Sequence, residues 1–341
     1  MQAADIDKDG DQDLFVGVRL KPKFYGTPVD GIILENDGKG IFTNKTREIA
    51  PELSKIGMIT DAYWADLDQD ADPDLLLVGE WMAIEAFENQ EGKLIRKTAD
   101  AGLQNSQGWW SCLKPGDFDG DGDLDFVVGN HGMNTRFQAS EDKPLKLYVN
   151  DCDRNGAVEQ IVAYFEGDQL MPFVRLPELS MQMPLIKKKY LRFSSFMGQD
   201  MATVFGEEKL DQSVVSEARE LRSSILVNEG NFQFSLQPLP VEAQLAPAFG
   251  LYVEDVDADG KEDILMGGNF FWAKPEVGRY DAMEGLLLKG NGNGTFEPML
   301  ASETGFEVEG EVRDMTAVKV GNESWIVVAR NNESLQVFRK K

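Results

Sequence analysis

The chain alternates short apolar runs with polar turns and seldom sustains a helical period. LFVGV from Leu14, LLLVG from Leu75, FVVGN from Phe126, QIVAY from Gln160 and ILMGG from Ile264 are brief and mostly stopped by glycine. Such runs predict buried β-strands. A second pattern recurs: an apolar strand, a turn rich in Asn and Gly, then a strand opened by an apolar or aromatic residue. It reads GIILENDGKGIFTNKT from Gly31, AIEAFENQEGKLIRKT from Ala83, SILVNEGNFQFSLQPL from Ser224 and GLLLKGNGNGTFEPML from Gly285. These turns supply the positive φ that tight hairpins require. Each unit is then four strands: one before a polar loop, one after it, and a hairpin. Repetition of such units predicts an all-β chain, a β-propeller of four-stranded blades.

The spacing sets the expected organisation. Blade 1 covers residues 1–50, blade 2 covers 51–104, and blade 3 covers 105–131 together with 223–240. Blade 4 covers 241–305 and blade 5 covers 306–341. Residues 132–222 are an α/β insertion in the third blade, a β hairpin plus helices. There Leu210, Val214, Ala218 and Leu221 fall on one helical face. Met171, Met181, Met183, Met197 and Met201 enrich the insertion, and Lys187, Lys188 and Lys189 read as a solvated edge. The chain opens at MQAADID, inside a strand, and ends at SLQVFRKK, the third strand of the last unit. This predicts five blades of a seven-bladed ring, an open arc whose missing N-terminal part carries the closing strand and a signal peptide.

The polar loops carry the candidate chemistry. One pattern, D-x-D-x-[DN]-G-x-x-[DE], returns as DIDKDGDQD, DLDQDADPD, DFDGDGDLD, DCDRNGAVE and DVDADGKED, and holds 23 of the 59 acidic residues. Calcium takes roughly six to eight oxygens at about 2.3–2.6 Å. Oxygens at positions 1, 3 and 5 of a tight turn converge, glycine at position 6 permits the reversal, position 7 offers its carbonyl, and the position 9 acid closes the cage. The expected ligand sets follow. They are Asp5, Asp7, Asp9, Asp11 and Asp13 in the first loop, and Asp66, Asp68, Asp70, Asp72 and Asp74 in the second. The third offers Asp117, Asp119, Asp121, Asp123 and Asp125. The fourth offers Asp151, Asp153, Asn155, Ala157 and Glu159, and the fifth Asp255, Asp257, Asp259, Lys261 and Asp263. An EF-hand would need an acid at position 12, where Val16, Leu77, Val128, Val162 and Met266 stand, so that reading fails in every copy. The second loop has Ala71 for glycine and Pro73 at position 8, and the fourth carries Arg154. The last unit has Lys319, Val320 and Gly321 where acids would stand and binds no metal. The expectation is four to five calcium ions per chain.

Composition narrows the partners. With 34 basic and 59 acidic side chains the formal charge is −25, which opposes nucleic acid or an anionic membrane surface. No apolar run reaches the ~20 residues of a membrane span. Two cysteines give no disulfide framework, and the single histidine, His131, argues against histidine catalysis. No G-x-S-x-G, H-E-x-x-H or P-loop is present, and G-N-G-N-G at Gly290 is a hairpin turn.

These loops, strands and hairpins resemble the FG-GAP/VCBS repeat family, the calcium-loop propellers that include the integrin α-subunit head. Among its branches the chain is similar to bacterial envelope proteins related to cartilage acidic protein and the UnbV/ASPIC group. The resemblance implies an extracytoplasmic protein that binds partners through loops on one propeller face while metals staple the other. The expected function is a non-catalytic, calcium-stabilised binding or adhesion module for a protein or glycan. A carbohydrate-active enzyme or enzyme subunit on the same scaffold is the alternative. Candidate contacts are Trp81, Trp109, Trp110 and Trp272. GVRLKPKFYG and GNFFWAKPEVGRYDA follow equivalent strands, so Lys21, Tyr25, Lys274, Arg279 and Tyr280 are expected to converge on one ligand site.

Overall fold

Strands form where the apolar runs are, and hairpins where the Asn/Gly turns are. The structure, a computed structural model, describes residues 1–274, 277–321 and 323–340. Gln2–Ala4 (β1), Asp13–Gly17 (β2), Gly31–Asn36 (β3) and Phe42–Asn44 (β4) make one antiparallel sheet in chain order. Met58–Ala65 (β5), Asp74–Met82 (β6), Glu85–Gln90 (β7) and Lys93–Arg96 (β8) make the next, with Gly108–Trp109 (β9) added along β6. Cys112–Gly116 (β10) and Asp125–Gly129 (β11) are completed, after a long excursion, by Ser224–Asn228 (β16) and Phe234–Pro238 (β17). Ala248–Glu254 (β18), Asp263–Gly268 (β19), Leu286–Gly290 (β20) and Phe296–Leu300 (β21) follow. A three-stranded sheet of Val312–Val320 (β22), Glu323–Arg330 (β23) and Gln336–Arg339 (β24) ends the series.

Side-chain alternation explains why the second strands are continuously apolar. Leu75 and Leu77 of β6 join Phe15 and Ile33 in one core, while Leu76 and Val78 join Phe126 and Val128 in another. Val127 of β11 packs with Ile264 and Met266, whereas Leu265 turns to Val312 and Met315. β6, β11 and β19 are therefore buried on both faces between neighbouring sheets, which requires an unbroken hydrophobic run, whereas β2 of the first sheet buries alternate residues. First strands pack in the same relay, β1 against β5, β5 against β10, β10 against β18 and β18 against β22. No comparable contact joins the first and last sheets among the described residues. Three first strands carry a β-bulge that leaves one residue out of the ladder: Thr60 in β5, Phe249 in β18 and Arg313 in β22.

The excursion is richer in β structure than a hairpin plus helices. Leu145–Asn150 (β12), Glu159–Glu166 (β13), Gln169–Pro172 (β14) and Val214–Ala218 (β15) form their own sheet, in the order β14-β13-β12-β15. Val214 and Ala218, expected on a helical face with Leu210 and Leu221, instead lie in a strand paired to Leu145–Val149. The β-branched pair Val214–Val215 suits a strand, and β15 covers what would otherwise be the open edge of β12; pairing there overrides a four-residue spacing. One face of this sheet packs Ile161 and Ala163 against Leu179, Met183, Met201 and Phe205 of short helices, the first being Leu176–Gln182 (α1). The other packs Leu145, Leu147 and Val149 against Met58 and Trp81. Of the methionines, Met171, Met183 and Met201 are buried, while Met181 and Met197 are exposed, as are Lys187, Lys188 and Lys189. Among the described residues no helix is long and apolar enough to cross a membrane.

Candidate metal loops and aromatic pocket

All five acidic loops share one backbone. Positions 4 and 6 have positive φ in each: Lys8 and Gly10, Gln69 and Ala71, Gly120 and Gly122, Arg154 and Gly156, Ala258 and Gly260. Ala71 thus holds the conformation of the glycine it replaces, at φ 68°. The position 7 amides of Asp11, Asp72, Asp123, Ala157 and Lys261 each donate to the position 5 side chain, at 2.8–3.1 Å. The result is convergence. Carboxylate oxygens within 4.8 Å of one another come from Asp5, Asp7 and Asp9, from Asp66, Asp68 and Asp70, and from Asp255, Asp257 and Asp259. In the third and fourth loops they come from Asp117, Asp119 and Asp125, and from Asp151, Asp153 and Glu159. Asp5 Oδ1, Asp11 Oδ1, Asp68 Oδ1 and Asp153 Oδ1 are shut off from solvent without a hydrogen-bond partner. Partnerless oxygens at the focus of like charges fit a hard divalent cation. In the fifth loop the Lys289 ammonium already contacts Asp257 and lies 3.4 Å from Asp259.

The position 9 acid does more than face the focus. Asp13, Asp74, Asp125 and Asp263 are buried, and both oxygens of each accept backbone amides. One comes from position 2 of the same loop, as Leu67 N to Asp74 Oδ2 at 2.9 Å. The other comes from the end of the third strand: Asn36, Asn89, Asn228 and Gly290 donate, each at 2.8 Å. Burial pushes the Asp74 and Asp125 carboxyls up to about 7. The third-strand asparagines then reach backwards. Asn89 Nδ2 donates to Ile6 O at 2.9 Å and Asn228 Nδ2 to Leu67 O at 3.3 Å, so each repeat grips the preceding loop. Further on, Gly294 N makes this bond to Phe118 O at 2.9 Å, and Lys340 Nζ reaches Asp255 O at 2.6 Å.

A second feature lies at the ends of the first strands where the bulges are. A cavity of about 770 Å³ has Thr60, Phe249 and Arg313 in its wall, and the excursion contributes Gln160, Val162, Phe173 and α1. Bulges re-aim side chains out of a ladder, and here all three aim into one space. Aromatic rings make a continuous wall. Trp109 stacks on His131 at 4.7 Å and 15°, His131 meets Tyr280 edge-on at 4.8 Å, and Phe137 lies 4.6 Å from Phe173. His131 Nε2 is 3.3 Å from Thr135 Oγ1, which in turn shares a 2.9 Å hydrogen bond with Tyr280 Oη. Burial pulls the His131 pKa down to about 4, so the ring is neutral at pH 7. Arg19 Nη2 donates to Glu80 Oε1 at 2.7 Å, and Arg313 Nη2 to Glu311 Oε1 at 2.9 Å with its guanidinium over Phe249.

The structure brings together some of the residues expected to converge. Tyr25, Lys274 and Tyr280 line the cavity, whereas Lys21 lies over Phe24, and Arg279 lies over Phe271 beside Asp281. Trp109 and Trp110 line it too. Trp110 is fully buried with Nε1 donating to Ser106 O, Trp81 is buried and donates to Tyr25 Oη, and Trp272 is 76% exposed. Arg19 sits inside GVRLKPKFYG, whereas Glu80, Phe173, Arg175, Glu178, Phe249 and Arg313 carried no local motif.

Residues 5–77 and 66–128 match the FG-GAP-like repeat family. No curated protein matches the chain. Among solved structures, the crystal structure of exotype rhamnogalacturonan lyase YesX is similar to 99% of this chain and 55% of that one, at 13% identity and a TM-score of 0.37. The chain thus spans about half the length of that structure.

Proposed function

From a chain that carries FG-GAP-like repeats over residues 5–128, we propose a calcium-stabilised, non-catalytic binding module whose repeated sheets are propeller blades and whose ligand is a glycan. The observation that carries this reading is the aromatic cavity of about 770 Å³, walled by bulge residues of three repeats and roofed by the excursion. A concave, ring-lined site suits a sugar better than a flat protein surface. Calcium would be held by Asp5, Asp7 and Asp9 and by the equivalent clusters, four to five ions in all. It would supply charge neutralisation to carboxylates crowded within 4.8 Å, and so fix the loops that join first to second strands. Extracellular modules bind calcium at about 10⁻⁴–10⁻³ M, and an extracytoplasmic location is part of this reading.

An enzyme on this scaffold is the second reading, because Glu80 and Glu178 both put carboxylates in the cavity. Each already faces a guanidinium, Arg19 at 2.7 Å and Arg175 at 3.5 Å, an arrangement that positions a ligand rather than delivering a proton. A glycan array probed with and without millimolar calcium tests the proposal, with Trp109→Ala as control. Calcium-dependent binding that the variant loses is the expected result; no glycan bound in either condition overturns it. Release of sugar products by the native chain, abolished in Glu80→Gln, would replace it with the enzymatic reading.

A further inference from the structure

The cavity wall inverts the charge of the molecule. Against a chain of net charge −25, its lining among the described residues holds four cations, Arg19, Arg175, Lys274 and Arg313, and two carboxylates, Glu80 and Glu178. Glu311 lies behind Arg313, and the Arg136 guanidinium lies over the lining ring Phe173. The four cations come from four separate elements: the segment after β2, the residue before α1, the loop after β19, and the bulge of β22. Their convergence is therefore a product of the fold and not of a local basic run.

Resting on the reading that this cavity binds a glycan, we propose that its ligand is an acidic sugar, a uronate-bearing oligosaccharide. The carboxylate would meet the guanidinium and ammonium groups, in the charge-assisted geometry that arginine favours. A sugar face would lie on Trp109 or Tyr280.

Oligomers of galacturonate, glucuronate and mannuronate, each paired with its carboxyl-reduced neutral form, test this by calorimetry on the calcium-loaded chain. At least one acidic oligomer should bind about tenfold or more tightly than its reduced form, as expected of a charge-assisted pair. Lys274→Met and Arg175→Met, both at exposed positions, should erase that preference. Equal binding of acidic and reduced forms overturns the assignment. Binding of neutral array glycans alone also overturns it while sparing the glycan reading; binding of no glycan at all overturns both.

Discussion

Trp109 and Trp110 are neighbours with opposite fates, and they show what a single residue decides. Trp110 has no exposure and packs among Leu76, Val128 and Leu226. Trp110→Ala should cost about 3–5 kcal/mol by chemical denaturation, whereas Trp109→Ala should cost much less and act on ligand binding. Ala71 is a second such residue. Its left-handed φ is costly for any side chain with a Cβ, so Ala71→Gly should raise stability by about 1 kcal/mol and tighten the second loop's metal binding. No gain in a melt of the metal-free variant would show that the strain is relieved elsewhere. Asp74 and Asp125 titrate near 7 for lack of solvent. Their folded values are raised, so their contribution to the metal-free fold is present in acid and lost as pH rises through about 7. Calcium entering at pH 7 should then expel about one proton from the pair, read as a dependence of binding heat on buffer ionisation enthalpy. The convergent acidic loops were legible because their carboxylates recur at fixed spacing within nine consecutive residues. Of the cavity cations only Lys274 was, since nothing local links Arg19 to Arg313.

Elements carry their own logic. The second strands read plainly as buried because both faces meet a neighbour, and the hairpins because their turns need positive φ. Strand β15 escaped detection: over so few residues Val214 and Ala218 fit a helical or an extended period equally, and the deciding partner, β12, lies far back in the chain. The gripping asparagines were also hidden, since Asn in an N-Q-E-G or N-E-G turn is already explained by the turn. Asn89→Ala should separate these roles. It leaves the Ile6 carbonyl unpaired in the preceding repeat, at a cost of about 1–3 kcal/mol. Hydrogen exchange should therefore quicken in residues 5–13 as well as in the mutated hairpin. Exchange confined to the hairpin would mean that the backward bond contributes nothing.

For the whole molecule, the carboxylate clusters are repulsive centres set between packed sheets. Chelation should lower the melting temperature by roughly 5–10 °C at low salt, and by less when salt screens the repulsion. An unchanged melt after exhaustive chelation would contradict a structural role for the ion. The order of the sheets followed from the repeat spacing; the roof did not, because the packing of β12 on Met58 and Trp81 joins residues with no shared pattern.

The bulges have a consequence for how such a molecule could change over time. Thr60, Phe249 and Arg313 stand outside the ladder, with their side chains in the cavity wall. Thr60 Oγ1 also donates to Trp110 O at 3.0 Å and Arg313 Nη1 to Asn269 O at 3.2 Å, so Phe249 is the bulge residue with no side-chain hydrogen bond to lose. Selection can therefore reshape the cavity wall at Phe249 while leaving the neighbouring registers intact.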